Sequence, residues 1–484
     1  MSGGISSNDL SKGDEVQREL ETRRNLEGAG LSYPQYPKYK DSGVAWLGEV
    51  PEHWNKGRLR WLSRIYSGGT PDKTNQDYWT NGTIPWLNSG AVNQCMISEP
   101  SDFISQEAYE NSSTQWINPG SLLIALAGQG KTKGMVAQLA IEATCNQSMA
   151  AIVPENEITP RFLFWWLTSN YQNIRNISGG DLRDGLNLEL IGNIQCPLPE
   201  SKEQTIISSF LDQETSRIDT LISEKVRLIS LLQEYRQALI SHAVTKGLDP
   251  NVKMKDSGVE WLGKVPEHWV MSNIKHIVST PVTDGPHETP EFLDQGIPFV
   301  SAEAISTGII DFEKVRGFIS IEDHRRYSLK YSPKLHDIYM VKSGATTGVT
   351  AIVETDTKFN IWSPLAVIRC SPMGNPYFIL NVIRSRNFQE AVALNWSYGT
   401  QQNIGMGTIE NLAIPIPPFK EQTAIVSFLN QETSRIDTLI SEARKFIDLL
   451  KEYRSSLITA VVTGKIDVRE VVPSGSEKRE IAHE

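Results

Sequence analysis

Apolar residues recur at alternating spacings of three and four along two stretches of the chain. Ile218, Leu221, Ile222, Leu228, Ile229, Leu232, Tyr235 and Leu239 form one stripe, and Ile436, Leu439, Ile440, Phe446, Ile447, Leu450, Tyr453 and Leu457 form the other. This is the period of an α-helix with one greasy face. Neither Gly nor Pro interrupts either block for about 40 residues, so each predicts a helix roughly 60 Å long at 1.5 Å per residue. A helix of that length with one apolar face needs a partner, and the chain supplies a second. Elsewhere the pattern is of short apolar runs broken by Gly, Pro and Asn: Ser121 to Ala127, Met149 to Val153, Asp337 to Val341 and Leu365 to Ile368. These predict strands. A shorter helix is expected over about Pro160 to Asn173, opened by its proline, with a counterpart over Pro376 to Ala393. The fold class expected is mixed α/β: twisted sheets with few helices, twice over, separated by two long helices.

The chain is written twice. DSGVAWLGEVPEHW at Asp41 to Trp54 returns as DSGVEWLGKVPEHW at Asp256 to Trp269, and the block from Lys202 (KEQTIISSFLDQETSRIDTLISE) returns from Lys420 as KEQTAIVSFLNQETSRIDTLISE. Between these anchors, segments of about 55 to 196 and 270 to 414 share little sequence but keep one punctuation. Gly82-Thr83-Ile84-Pro85-Trp86 matches Gly296-Ile297-Pro298-Phe299, Gly130-x-Thr-x-Gly134 matches Gly344-x-Thr-x-Gly348, and NIQCPLP at Asn193 to Pro199 matches NLAIPIP at Asn411 to Pro417. One skeleton with two surfaces implies two domains of one fold that read different ligands. The expected division is an arm over 1–37, a first domain over 38–200, a helix over 201–248, a second domain over 249–418, a second helix over 419–466 and a tail over 467–484.

Packing alone would keep the apolar positions of the helices and let the polar ones drift. Here the polar positions of QETSRIDTLISE are retained too. Glu214, Arg217 and Asp219, with Glu432, Arg435 and Asp437, are therefore candidates for a face shown twice to one kind of partner, against the plainer reading of a solvated helix surface.

Composition bounds the chemistry. The 484 residues hold 47 Lys+Arg against 57 Asp+Glu, for a formal net charge of -10, and both variable domains are mildly acidic. No run approaches the roughly 18 apolar residues of a membrane helix, and the start lacks a signal-peptide pattern; a cytoplasmic location is expected. Cys95, Cys145, Cys196 and Cys370 lie far apart, without metal-ligand spacing, and read as buried thiols. The stretch Ala125 to Thr132 fits a relaxed phosphate-loop pattern, the basis of an alternative reading as a nucleotide-binding enzyme. The matching loop Gly344 to Gly348 has no lysine, and the residues after Lys131 open no clear helix. His53 and His268, each in a PEHW beside Trp54 or Trp269, read as packed corners and not as catalytic groups. No HExxH, GxSxG, dinucleotide fingerprint or methyltransferase tetrapeptide occurs. The chain reads as a binder that recruits another protein's active site.

In combination, the duplicated DSGVxWLGxVPEHW openings, GxIPW/F segments, NxxxPxP exits and KEQxxIxxFLxxETxxID helices resemble the specificity subunit of type I restriction-modification systems, over roughly residues 38 to 466. The resemblance implies two target recognition domains, each reading half of a bipartite DNA sequence, held apart by an antiparallel coiled coil. It implies no catalysis and no cofactor on this chain. The implied partners are double-stranded DNA, two modification subunits that bind S-adenosylmethionine and methylate adenine at N6, and restriction subunits that use ATP and Mg²⁺. A methyltransferase-only or orphan system is the alternative within the family.

Readers are expected among the polar loop tips, since Lys and Arg suit phosphate or guanine and Asn and Gln suit adenine. In the first domain these are Lys73, Asn75, Asn88, Ser89, Gln129, Lys131, Lys133 and Arg183, with Lys131 and Lys133 exposed at the tip of a glycine loop. In the second they are His287, Ser301, Lys342, Ser343, Thr346, Thr347, Gln401, Gln402 and Asn403. An acidic chain with cations confined to loop tips is expected to hold DNA weakly by itself.

Overall fold

The computed structural model describes residues 33–471 apart from 45, 129–130, 156, 178–184 and 399–401. Gln129, Arg183 and Gln401 therefore lie outside the described residues, as does most of the expected arm and tail. The chain forms two compact units that do not follow chain order. One takes in residues up to Glu224 and from Lys445 onward, and the other spans Lys225–Arg444.

The first unit is built on a five-stranded sheet in the order Ser63–Ser67, Met149–Pro154, Leu122–Ala125, Val136–Leu139, Met96–Ile97. Its first four strands are antiparallel neighbours and the last joins in parallel. Beside it a three-stranded sheet runs Thr144–Cys145, Ile84–Leu87, Asp102–Ile104. The second unit repeats both: Thr283–Asp284, Leu365–Ile368, Ile338–Val341, Thr350–Ile352, and then Asn360–Ile361, Ile297–Val300, Phe318–Ile319, with the same pairing senses. Only the strand at Met96–Ile97 has no counterpart among the described residues.

The central strands are continuous apolar runs because both their faces are covered. Leu122, Ile124, Ala150 and Ile152 pack into one core with Phe162 and Trp166, while Leu123, Ala125, Met149 and Ala151 pack into a second on the opposite face. In the second unit Ile338, Met340, Ala366 and Ile368 face one core and Tyr339, Val341, Leu365 and Val367 the other. The helix expected after Pro160 ends at Ser169 and a second follows over Tyr171–Asn176; its counterpart breaks likewise into Pro376–Arg384 and Arg386–Leu394. Ser385 takes an extended conformation at that break, and its Oγ accepts from Phe388 N to cap the new helix.

Each domain closes on itself. The exit strand Gln195–Leu198 pairs with Asn55–Arg58 just after the first PEHW, and Ala413–Ile416 pairs with Val270–Asn273 just after the second. Closure returns the chain to its point of departure, where a long helix begins.

The long helices run over Ser201–Lys246 and Phe419–Val462, 46 and 44 residues, or about 69 and 66 Å. In the first unit, Ile207, Phe210, Leu211 and Ile218 share a core with Leu450, Tyr453, Leu457 and Ile458. In the second unit, Ile240 and Val244 share one with Ile425 and Leu429. The apolar stripe is wider than the seam that is covered. Ile436, Ile440, Ala443, Ile447 and Leu450 are buried at three-and-four spacing, whereas Leu228, Tyr235, Leu439 and Phe446, expected in the same stripe, remain exposed. On the second helix, Leu439 and Phe446 each stand one position before a seam residue, rotated about 100° out of the contact.

Cys145 and Cys196 are buried, and desolvation pushes both thiols up to about 12. Cys95 departs from the expectation. It is exposed, at a positive φ of 59° after a 3₁₀ turn.

Candidate nucleic-acid interface

Two constellations explain the polar residues that the chain repeats. The first anchors each recognition domain to the base of the helix that follows it. Glu203, in the first turn of the first long helix, accepts from Trp54 Nε1 at 3.1 Å and Tyr36 Oη at 2.6 Å, and its Oε2 lies 2.9 Å from His53 Nε2. Glu421 meets Trp269 Nε1 at 3.0 Å and His268 Nε2 at 2.8 Å. The next residue is equally committed. Gln204 donates to Glu157 O and Pro199 O and accepts from Thr159 N, and Gln422 donates to Met373 O and Pro417 O and accepts from Asn375 N. The PEHW histidines and the KEQ carboxylates are thus structural partners, each set joining domain, exit strand and helix.

The second constellation lies along the helices. Asp219 pairs with Arg454 at 2.9 Å in the first unit, and Asp437 pairs with Arg236 at 3.1 Å in the second. Asp219 and Asp437 hold the same place in the two copies of SRIDTLISE, and Arg236 and Arg454 the same place in EYR. Each copy therefore makes the other's bond in reciprocal form. Of the six residues expected to face a partner, these two aspartates are engaged within the chain. Glu214 is 3% exposed, held by Arg217 at 2.9 Å, and so is not a surface group. Its burial accompanies the packing of Tyr33 on Phe210 and of Tyr33 Oη beside Tyr453 Oη. Arg217 and Arg435 are exposed and Glu432 is half-buried.

Some of the expected readers lie where the loops after the central strands of each domain meet. In the second unit Lys342 N donates to Pro364 O, Ile404 N to Lys342 O, and Gly344 N to Gln402 O. Ser343 bridges Asn403, and Thr347 Oγ1 donates to Gly344 O. Lys342, Ser343, Thr347, Gln402 and Asn403 are brought together, with Thr346 exposed beside them. His287 joins through Asp284, its Nε2 3.0 Å from Asp284 Oδ2. Ser301 does not fit the expectation: it is 7% exposed, because it directly follows a strand whose Val300 carbonyl is bound by Trp362 N.

In the first unit the corresponding bonds run from Leu126 N to Ser148 O and from Leu186 N to Leu126 O. Lys131 is exposed there, its carbonyl accepting from Tyr171 Oη at 2.5 Å. Lys133 is not at an exposed tip. It is 3% exposed, since bonds from Gly134 N to Ala125 O and Met135 N to Thr132 O fold this part of the turn against the preceding strand. That turn leads into the strand Val136–Leu139 and not into a helix, so Lys131 lacks the helix N-terminus on which a phosphate loop depends. Lys73 is exposed in a tight turn; Asn75 and Asn88 each accept from the backbone two residues ahead, opening 3₁₀ turns, and Ser89 follows half-buried.

Several residues of these edges were missed. Gly68 and Gly285 explain which. A Cβ on Gly68 would strike the carbonyl of Cys145, and one on Gly285 the carbonyl of Ile361, so the two glycines mark equivalent crossings. From them Thr70, whose Oγ1 bonds Gln147 Oε1, corresponds to His287, and Gln147 to Ser363. Arg316, stacked 4.2 Å over the Trp362 ring, and Lys330, bound to Asp284 at 2.5 Å, also belong to the second domain's set. Aligning SGGT with DGPH would have shown part of this; the lysine and arginine come from segments without a repeat signal.

Burial acts to raise the pKa of Asp284, but Lys330 and then Lys342 outweigh it and hold the carboxyl below the usual range. Among the described residues no cluster of His, Cys, Asp and Glu could hold a metal ion, and no helix is long and apolar enough to cross a membrane.

The family model described as type I restriction modification DNA specificity domain matches twice, over residues 51–228 and 266–445. The chain belongs to this family. Both matches open on the proline of PEHW and run into a long helix, so each contains one anchored domain with its helix base. Specificity subunits of such systems recognise DNA, while the catalytic activities lie in partner subunits. The MjaIX specificity subunit of Methanocaldococcus jannaschii is 23% identical over 435 residues, covering 88% of this chain and 96% of that one. A chain from a structural study of assembly and conformational transition in the type I R-M system superposes with a TM-score of 0.66 at 16% identity, covering 85% of this chain and 98% of that one. The HsdS subunit from Thermoanaerobacter tengcongensis gives 0.53 at 16%, covering 86% and 98%. These two likenesses show the fold.

Proposed function

We propose that each recognition domain reads one half of an asymmetric, bipartite double-stranded DNA site through the loop edge described above. The long helices act as an antiparallel coiled coil that sets the spacing between the halves. The observation that carries this reading is reciprocity: one domain fold made twice, each copy anchored by its own glutamate, and each helix copy completing the other's Asp–Arg pair. Such an arrangement suits a pseudo-twofold, and unlike loops on like skeletons suit an asymmetric site. If both domains enter major grooves on one DNA face, half-site centres lie roughly 34 Å apart, one helical turn.

The exposed Arg217 and Arg435 and the half-buried Glu432, with the exposed apolar residues of the helices, serve as docking surface for two adenine-N6 methyltransferase subunits. Those subunits supply S-adenosylmethionine, and restriction subunits supply ATP and Mg²⁺; this chain binds none of the three. The complex works in the cytoplasm. With a net charge of -10 the isolated chain binds DNA weakly, and the modification subunits contribute much of the phosphate contact. The test is to insert one heptad into each long helix and map methylated adenines in cells carrying the complex. A longer unread spacer between unchanged half-sites is expected; altered half-sites around an unchanged spacer would defeat the ruler.

A further inference from the structure

The two reading edges differ in one built feature. Asp284 is 1% exposed and has two lysine ammonium groups and an imidazole on it. Lys330 Nζ lies 2.5 Å from Oδ1, and Lys342 Nζ and His287 Nε2 lie 3.3 and 3.0 Å from Oδ2. A carboxylate so far from water is costly unless paired, and removing its partners would leave that cost uncompensated. The cations are therefore held where they are. In the first unit the crossing glycine and the equivalent backbone bonds put Ser67 at the position of Asp284 and Leu126 at that of Lys342. There a hydroxyl and an aliphatic side chain replace the ion pair, and the same sheet forms. The clamp is thus no requirement of the fold.

Its geometry selects a task. An ammonium has three N–H donors. Lys330 spends one on Asp284 and one on Gly285 O at 2.9 Å, and with its side chain 46% exposed it keeps the third for whatever meets the edge. A single donor fixed at two points is a directional probe for an acceptor. In the major groove guanine offers adjacent acceptors at O6 and N7, the pattern a lysine reads.

We propose that Lys330 reads a guanine in the second half-site and that Asp284 is its positioning residue. The inference rests on the DNA-reading role proposed above. The test uses the chain assembled with its modification subunits and a duplex carrying the site mapped by adenine methylation, competed against duplexes with each base pair replaced in turn. Two variants are compared with the native complex: Lys330→Met, and Asp284→Ser combined with Lys342→Leu, the pair the first domain carries. Both are expected to lower discrimination about tenfold at the same G·C pair of the second half, the size of one lost base contact, with first-half discrimination unchanged. Intact first-half reading shows in the same measurement that the complex is assembled. Unchanged discrimination in Lys330→Met overturns the proposal. So does a uniform loss over all duplexes with a salt slope lower by about one, the mark of a phosphate contact. Failure of the native complex to discriminate any base pair would instead overturn the DNA-reading role itself.

Discussion

Replacing Glu203 by Ala removes the acceptor shared by Tyr36, Trp54 and His53. Trp54 is fully buried, Tyr36 is 4% exposed and Glu203 itself 6%, so water cannot replace the lost oxygen without opening the corner. Two buried donors left unsatisfied cost about 1 to 3 kcal/mol each; His53, 42% exposed, turns to solvent at little cost. The expected loss is about 2 to 6 kcal/mol, confined to the first unit. Glu421 is the control. It serves one buried donor, Trp269, while His268 is 47% exposed and the carboxylate itself 28%, so Glu421→Ala costs about 1 to 2 kcal/mol in the second unit. Native-state hydrogen exchange on the full chain reads both at once, through the opening free energies of the buried strands at 122–125 and 338–341. Glu203→Gln, which keeps one acceptor oxygen, should fall between native and alanine. Equal losses from the two alanine variants, or a loss under about 1 kcal/mol for Glu203→Ala, would refute the accounting by buried donors.

Two further outcomes follow from the reading edges. Gly68→Ala and Gly285→Ala press a methyl group onto backbone carbonyls that cannot swing aside. Each is expected to cost about 1 to 3 kcal/mol or more and to impair its own half-site alone, measured as competition by half-substituted duplexes. Asp284, with its folded pKa depressed, contributes stability that is complete above the unfolded value of about 3.9 and is lost as pH falls through the lower folded value. Urea midpoints of the native chain should therefore drop from pH 5 to pH 2.5 by more than those of Asp284→Asn; parallel curves would show that the carboxylate contributes nothing.

Much of the architecture was legible from the residues because its causes are local. A helical period over 40 residues, a duplicated motif and short apolar runs broken by Gly, Pro and Asn each report on neighbours in the chain. The errors have long-range causes. Lysine and serine in polar loops are usually exposed, but Lys133 is folded under its own loop and Ser301 borders a strand that the 362 loop covers. Glu214 looked like a surface charge until the segment at Tyr33 packed nearby. Leu228, Tyr235, Leu439 and Phe446 matched the apolar period, yet the period does not say how wide the contact between two helices will be.

The sequence by itself determined the duplication, the two long helices, the α/β character and the absence of a catalytic signature, because repetition and periodicity are properties of one dimension. It also flagged that QETSRIDTLISE kept polar residues that packing did not demand, while KEQ stood only as the start of the repeated block. Only the tertiary structure decided what those residues do: Glu203 and Glu421 receive indole and imidazole groups about 150 positions away, and Asp219 finds its arginine 235 positions on. The same holds for Asp284, whose meaning lies in Lys330 and Lys342, 46 and 58 positions further along. A charge can be counted from sequence. Whether it is solvated, paired or aimed depends on which distant groups the fold sets within about 3 Å of it, since hydrogen bonding and desolvation act over that range.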